Sequence, residues 1–362
     1  MSISIGLVGL PSTGKSTLFN ALLQKYQAEV AAFNFTTINP NIGIVEIPDP
    51  RLEKIAQIAK SKKITYSTLK IFDIAGLIRG AHQGAGLGNQ FLSEINRVDL
   101  IALVIRFFEN ENVPHPENNL HPGNDLKTLL NELMLKDLET LDKAIFRLQK
   151  DLKLNQNVNY TKETLKIIEK IKLTLESEQI PNISQEEIDK IKEIPLLTIK
   201  PFIFIANCSQ AQIIEADELI TNFCPKIPLK NWVIIDALNE QEIIDFAKSE
   251  KQEIREAMGM RQSGIDALLQ ISFEKLKLIN YFTARAKEAR AWQIPLGTNA
   301  RQSSQKIHND FFQKFIRAKV ISYENYLSCE GEQKAKEKGL IRTEGEHYIV
   351  KDGDVIEFVL NK

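Results

Sequence analysis

Gly9-Leu10-Pro11-Ser12-Thr13-Gly14-Lys15-Ser16 follows an apolar run, Ile3 to Val8, and precedes Thr17-Leu18-Phe19-Asn20-Ala21-Leu22-Leu23. The pattern is G-x-x-x-x-G-K-[ST] between a strand-like and a helix-like segment, the context a phosphate-binding loop requires. Gly9 and Gly14 let the backbone wrap closely around phosphate oxygens, with consecutive N–H groups turned inward. The loop ends at a helix N-terminus, whose unpaired N–H groups and dipole favour an anion. Ser12, Thr13, Gly14, Lys15, Ser16 and Thr17 are therefore the expected phosphate contacts. Lys15 would reach the β- and γ-phosphates and act in catalysis, and the Ser16 hydroxyl would join a Mg²⁺ shell. A nucleoside triphosphate is the expected ligand.

Working outward, Ile42–Ile47, Leu69–Asp73 and Leu100–Phe107 read as further strands of a parallel sheet with crossover helices. Asp73-Ile74-Ala75-Gly76 ends one of them, where a D-x-x-G switch belongs. Its carboxylate would hold Mg²⁺ through water and the Gly76 N–H would meet the γ-phosphate. The turn-prone stretch Phe33–Asn41 is a natural first switch, in which Thr37, with Thr36 as its neighbour and competitor, would add a hydroxyl to the metal. Leu77 follows Gly76 where many GTPases place a water-orienting glutamine, and a leucine aligns no water. Hydrolysis is then slow, or another group does this work. His82, in the glycine-rich stretch Gly80–Gln90, and His115 are the candidates, since a histidine titrates near neutrality and can accept a hydrogen bond from water.

Between about 123 and 195 the texture changes. Met134, Leu138, Leu141, Ile145, Leu148 and Leu152 step by four and three amid charged residues, and Leu165, Ile168, Ile171 and Leu175 follow a polar break. The spacing predicts an antiparallel helical hairpin, coiled-coil in character. Strand texture returns at Pro201–Ala206 and Trp232–Asp236, and helical patterns at Glu240–Lys251 and Gly264–Lys277. The hairpin thus interrupts an α/β domain. From about Ile279 short β-like runs (Val320–Tyr323, His347–Val350, Val355–Val359) and an Asp352-Gly353 turn predict a small α+β domain.

Composition narrows the class further. With 43% hydrophobic and 26% charged residues the chain reads as soluble and globular, and a net charge of −1 gives no global field for nucleic acid. Residues 279–362 differ locally, with 14 Lys and Arg against 11 Asp and Glu, a net of +3. There Lys314, Arg317 and Lys319 lie near Phe311, Phe312 and Phe315, a mixture suited to phosphate contact and base stacking. The three cysteines, Cys208, Cys224 and Cys329, lack metal-ligand spacing. The odd number, with no signal peptide, predicts reduced thiols in the cytoplasm, and no apolar stretch predicts a membrane span. The sequence does not fix the oligomeric state; a monomer is favoured.

The base-reading loop follows the strand at 202–206. Guanine-specific relatives carry N-K-x-D there, whereas this chain reads Asn207-Cys208-Ser209-Gln210. Replacing the aspartate by neutral Gln210 removes the charge-assisted pair that selects guanine. A glutamine amide both donates and accepts, so it suits adenine or tolerates both purines. Asn207, Cys208 and Gln210 are the expected base contacts, with Asp236-Ala237-Leu238 backing the base. ATP is expected in preference to GTP, with a GTPase or dual-specificity enzyme as the alternative and a nucleotide-gated scaffold as the alternative class.

The longer blocks resemble the YchF-type, Obg-like ATPases. They are Gly9-Leu10-Pro11 with Gly14–Leu22, Thr37–Asn41, Pro48–Leu52, Asp73–Leu77, Gly86–Leu92 and Phe107–Asn110. Toward the C-terminus come Tyr281–Thr283, Arg290–Trp292, Ile307–Phe311, Phe315–Ala318 and Tyr348–Asp354. The resemblance implies a G domain at 1–122 and 199–278, an inserted hairpin at 123–198 and a β-grasp TGS domain at 279–362. It also implies ATP hydrolysis in preference to GTP, association with the ribosome or RNA, and a catalytic role for His115. Two positions depart from the family pattern. Ser12 replaces an asparagine that helps hold a monovalent cation in potassium-activated members, which weakens the expectation of K⁺ dependence. Gln210 replaces a glutamate, which loosens the adenine preference.

Overall fold

The computed structural model describes residues 3–29, 41–74, 93–116, 119–154, 158–260 and 263–361. The chain divides into two compact units, Ile3–Gly43 with Lys70–Ile271, and Ile44–Leu69 with Ser272–Lys362. The division passes through two strands, β2 (Ile42–Ile47) and β4 (Ser67–Asp73).

The first unit is built on a six-stranded sheet in the order β2-β4-β1-β5-β6-β7. Here β1 is Ser4–Val8, β5 Leu100–Arg106, β6 Phe202–Asn207 and β7 Trp232–Ile235. From β4 to β7 every pairing is parallel, and Gly6 sits between Phe72 and Ile101. All residues of β1 and β5 are buried, as strands covered on both faces must be, which explains apolar runs without alternation. Strand order reverses at β1, with β4 on one side and β5 on the other. The carboxyl edge of such a switch point is where α/β sheets bind ligands. Helix α1 (Lys15–Glu29) starts there.

The heptad-like seam folds as expected from its spacing. Helix α3 (Pro122–Lys153) packs against α4 (Val158–Glu176), with α2 (Pro50–Ala59) preceding them in the chain. Met134, Leu141 and Leu148 share a buried cluster with Leu165, Ile168, Ile171 and Leu175, flanked by the partly buried Leu138, Ile145 and Leu152. The ion pair Lys127–Glu178 joins the beginning of α3 to the residues just past the end of α4, so the two run antiparallel. Midway along α3, Asp137 is wholly buried. It accepts from the backbone N–H groups of Leu197 (2.8 Å) and Thr198 (2.7 Å) and from the Thr198 hydroxyl (2.6 Å). Helix α5 (Gln185–Ile191) carries a capping box from Ser184 and Glu187. The helical stretch expected over 240–251 is two helices, α7 (Ala237–Glu242) and α8 (Lys248–Ala257), after α6 (Ala216–Phe223). A one-turn 3₁₀ segment at Ile243–Asp245 separates them. Helix α9 (Gly264–Lys275) follows.

The second unit carries a sheet in the order β11-β10-β12-β8-β9-β3. β3 is Ile64–Thr65, β8 Leu278–Ala284, β9 Ala289–Pro295, β10 Phe315–Ile321, β11 Arg342–Glu344 and β12 Val355–Leu360. The antiparallel pair β8–β9 was not expected from the sequence: Tyr281 faces Trp292 and Phe282 faces Ala291 in a strand pair broken by polar residues. His347–Val350 is not a strand; only an isolated bridge joins Ile349 to Asn299. The Asp352-Gly353 turn is present, with Gly353 at φ +87°. Lys319 pairs with Glu357 at 2.7 Å, whereas Lys314 and Arg317 are exposed. Among the described residues, no helix is long and apolar enough to cross a membrane.

Candidate functional site

The loop after β1 turns on two glycines and one serine. A Cβ on Gly9 would lie 2.7 Å from the Val104 carbonyl oxygen and 2.8 Å from Thr13 Oγ1. One on Gly14, at φ +83°, would collide with Asn207 Nδ2. Both contacts are closer than carbon tolerates, so these positions need glycine. Ser12 adopts φ +64°, a left-handed conformation that costs a serine of order 1 kcal/mol. An asparagine accepts that conformation more readily. Ser12 is exposed, whereas Thr13 is buried and donates from Oγ1 to the Leu10 carbonyl at 3.1 Å. Thr17 lies half-buried in the first turn of α1.

At the foot of α1 three side chains converge. Lys15 Nζ donates to Asp73 Oδ1 at 2.9 Å, and Ser16 Oγ donates to Asp73 Oδ2 at 2.8 Å. Asp73 ends β4 and Lys15 opens α1, so adjacent strands deliver them to one spot. The pair is largely buried, with Lys15 and Asp73 side chains 10% and 13% exposed. A hydroxyl and a carboxylate oxygen 2.8 Å apart fit Mg²⁺. That ion takes hard oxygen donors at about 2.1 Å and usually keeps waters and substrate phosphates alongside one or two protein ligands. Among the described residues no group of three His, Cys, Asp or Glu side chains is set to hold a metal by itself.

Asn207, at the end of β6, is buried and uses both ends of its amide. Nδ2 donates to the Thr13 carbonyl at 2.9 Å, and Oδ1 accepts from the Ala237 N–H at 3.1 Å. It ties the phosphate loop to the β7–α7 connection, a role its sequence position did not reveal. Asp236 caps α7 by accepting from the Asn239 N–H at 3.0 Å, and burial raises its carboxyl. Cys208 turns its thiol into the core, where burial pushes it up to about 12, and its N–H is bonded to the Ile235 carbonyl at 2.8 Å. Gln210 is exposed at the start of a 3₁₀ turn, Gln210–Gln212. Gln212 braces this loop, accepting from Ser209 and donating to the Phe107 carbonyl at 2.8 Å.

The segment leaving β5 closes over the same edge. Arg106 is buried, stacks 4.5 Å from the Phe108 ring centroid, and donates to the carbonyls of Phe108 (3.1 Å) and Asn110 (3.3 Å). The Phe108 ring is within 3.7 Å of where a Gly14 Cβ would stand. Further along, His115 Nε2 lies 3.0 Å from Asp125 Oδ2, with both side chains almost wholly buried. Sequence reasoning did not single out Arg106 or Asp125. A charge closing the otherwise apolar strand Leu100–Arg106, and an acid in the first turn of α3, were the available signals. Thr36, Thr37, Gly76, Leu77 and His82 lie outside the described residues.

A glycine-hinged loop at a parallel-sheet switch point, with lysine, serine and aspartate converging beneath it, defines a P-loop nucleotide-binding protein of the G-domain type. The family described as 50S ribosome-binding GTPase matches residues 4–208, and the YchF GTPase C-terminal family, described as a protein of unknown function, matches 278–361. The chain is 40% identical to the Ribosome-binding ATPase YchF of Escherichia coli O157:H7 over the full length of both. It is 39% identical, again over the full length of both, to the protein of that name from Bacillus subtilis (strain 168). The solved Schizosaccharomyces pombe YchF GTPase aligns with a TM-score of 0.84 at 30% identity, covering 99% of this chain and 98% of that one. The chain belongs to the YchF family.

Proposed function

We propose that this chain is a Mg²⁺-dependent ATPase whose nucleotide state governs its association with the ribosome. The observation that carries the reading is the convergence of Lys15 Nζ and Ser16 Oγ on the Asp73 carboxylate at the foot of α1. The names of the full-length relatives, ribosome-binding ATPases, supply the nucleotide and the partner.

When ATP enters, the Lys15 ammonium would leave Asp73 for the β- and γ-phosphate oxygens and neutralise charge there, while loop N–H groups from Thr13 to Thr17 hold the remaining oxygens. Mg²⁺, when bound, offsets charge on the transferring phosphoryl group. Ser16 would coordinate it directly, Asp73 through water, and Thr37 would complete the shell. Gly76 would sense the γ-phosphate through its N–H. Water attacks the γ-phosphorus, the bond to the bridging oxygen breaks, and ADP and inorganic phosphate leave. With leucine at 77, His115 is the group proposed to orient that water. The base would lie against the loop braced by Asn207, with Gln210 at its edge. Asn207 acts there as a tie between loops, and Cys208 contributes backbone only. Ser12 offers one hydroxyl where a K⁺ site would need more oxygen, so turnover should respond weakly to potassium.

Steady-state ATP hydrolysis by the purified chain, with and without ribosomes, tests the reading. Slow turnover that rises with ribosomes and disappears with EDTA is expected. Turnover that is fast in isolation and unchanged in His115→Ala would refute the mechanism. The composition and the relatives' partner support a cytoplasmic location. The domain limits implied by the resemblance, with the hairpin at 123–198, are proposed for the same reason.

A further inference from the structure

His115 and Asp125 are joined in a place that a surface ion pair would not occupy. The imidazole and carboxylate side chains are 5% and 2% exposed and 3.0 Å apart, Nε2 to Oδ2. Asp125 belongs to the first turn of α3, where its N–H is bonded to the His121 carbonyl at 3.1 Å. That turn is seated firmly. His121 caps it by accepting from the Asn124 N–H at 3.2 Å and packs edge-on against Phe223. A Cβ on Gly123 would collide with the Phe223 carbonyl oxygen, so the helix start can approach this closely only with glycine. Two other titratable groups face the carboxylate: the Arg106 guanidinium and the Cys224 thiol both feel its charge, and burial with that charge pushes the thiol up to about 11.

We propose that Asp125 is a positioning residue for the hydrolytic reaction, fixing the orientation and tautomer of His115. The inference rests on the reading of His115 as the water-orienting group. An ionised carboxylate only accepts hydrogen bonds, so a hydrogen bond to it places the imidazole proton on Nε2. The ring, with its other nitrogen Nδ1, is then held in one orientation. The logic is that of any base oriented by a third group, where the carboxylate never touches the reacting atoms. Arg106 completes the arrangement at the other end of the segment. It holds the carbonyls of Phe108 and Asn110 and lends positive charge to the carboxylate. The chain from 106 to 115 is thereby fixed at both ends, once by a buried guanidinium and once by a buried carboxylate.

The test is a double-mutant cycle on the full chain, reading kcat for ATP hydrolysis and the ATP dissociation constant separately. Asp125→Ala should lower kcat about tenfold or more, within the range general acid–base groups supply, and leave the dissociation constant within about twofold. In a His115→Ala background the same change should cost nothing further, because two groups acting as a unit are non-additive. Equal losses in both backgrounds would mark Asp125 as merely structural and overturn the proposal, as would an unchanged or increased kcat. If His115→Ala alone leaves kcat untouched, the reading of His115 fails and the proposal falls with it. If His115→Ala is impaired and Asp125→Ala is not, only the proposal fails. Asp125→Asn, nearly isosteric, carries the same cycle should the alanine variant melt early.

Discussion

Asp73 and Asp137 are both carboxylates held by several donors, yet the two sites are built for opposite purposes. Asp73 accepts from Lys15 and Ser16, side chains on rotatable bonds. Asp137 accepts from two backbone N–H groups and the Thr198 hydroxyl, wholly buried midway along α3. Side-chain donors can swing to a phosphate when one arrives; backbone donors cannot leave without unfolding the segment that carries them. A switch and a rivet are thus told apart by who donates, not by the acceptor. The first arrangement can exchange partners, and the second ties α3 to the chain at 197–198.

The largest effect expected from this contrast is at the exchangeable site. Lys15→Ala should lower kcat/KM for ATP by about 100-fold or more while leaving the thermal midpoint nearly unchanged, as calorimetry and a phosphate-release assay would show. At the fixed site the pattern should invert. Asp137→Ala leaves two buried N–H groups and a hydroxyl unpaired and should cost about 2–4 kcal/mol in urea unfolding, with nucleotide affinity preserved. If Asp137→Ala weakened nucleotide binding and left stability intact, the distinction would collapse.

Titration sharpens the comparison. Burial raises the Asp137 carboxyl from 3.8 to about 6, so between those values the folded state holds a proton that the unfolded chain has released. The wild type should therefore lose stability relative to Asp137→Asn as pH rises from about 4 to 6, and the difference should level off above that. Paired urea titrations across this window would show a flat difference if the carboxyl is not raised. The smallest effect belongs to the loop itself. Ser12→Gly relieves a left-handed φ but frees the unfolded chain, leaving a stabilisation of at most about 1 kcal/mol, read as a small rise in midpoint.

Much of the fold was legible because its signals are local. The Gly9–Ser16 loop, the apolar strands and the hairpin seam each announce themselves within one segment, and each folds where its pattern puts it. The C-terminal sheet was less legible, since β8 and β9 pair through residues such as Asn280 and Gln293 whose place is set by strand neighbours rather than by alternation. At the site, Lys15, Ser16 and Asp73 were singled out from motif spacing, and folding brings the three side chains together. Nothing in one sequence discloses that Thr13 and Ala237 would bond both ends of the Asn207 amide. Asp125 and Arg106 were invisible for the same reason: their partners, His115 and the Phe108 carbonyl, are brought to them by folding.

The central claim is that this cradle holds ATP in preference to GTP, with neutral Gln210 where guanine readers carry an acid. Calorimetric dissociation constants for the two triphosphates with Mg²⁺, on the full chain and on Lys15→Ala, test it most directly. Tighter binding of ATP than GTP, lost for both in the lysine variant, is the predicted result. GTP binding tighter than ATP, or affinity indifferent to Lys15, would contradict it.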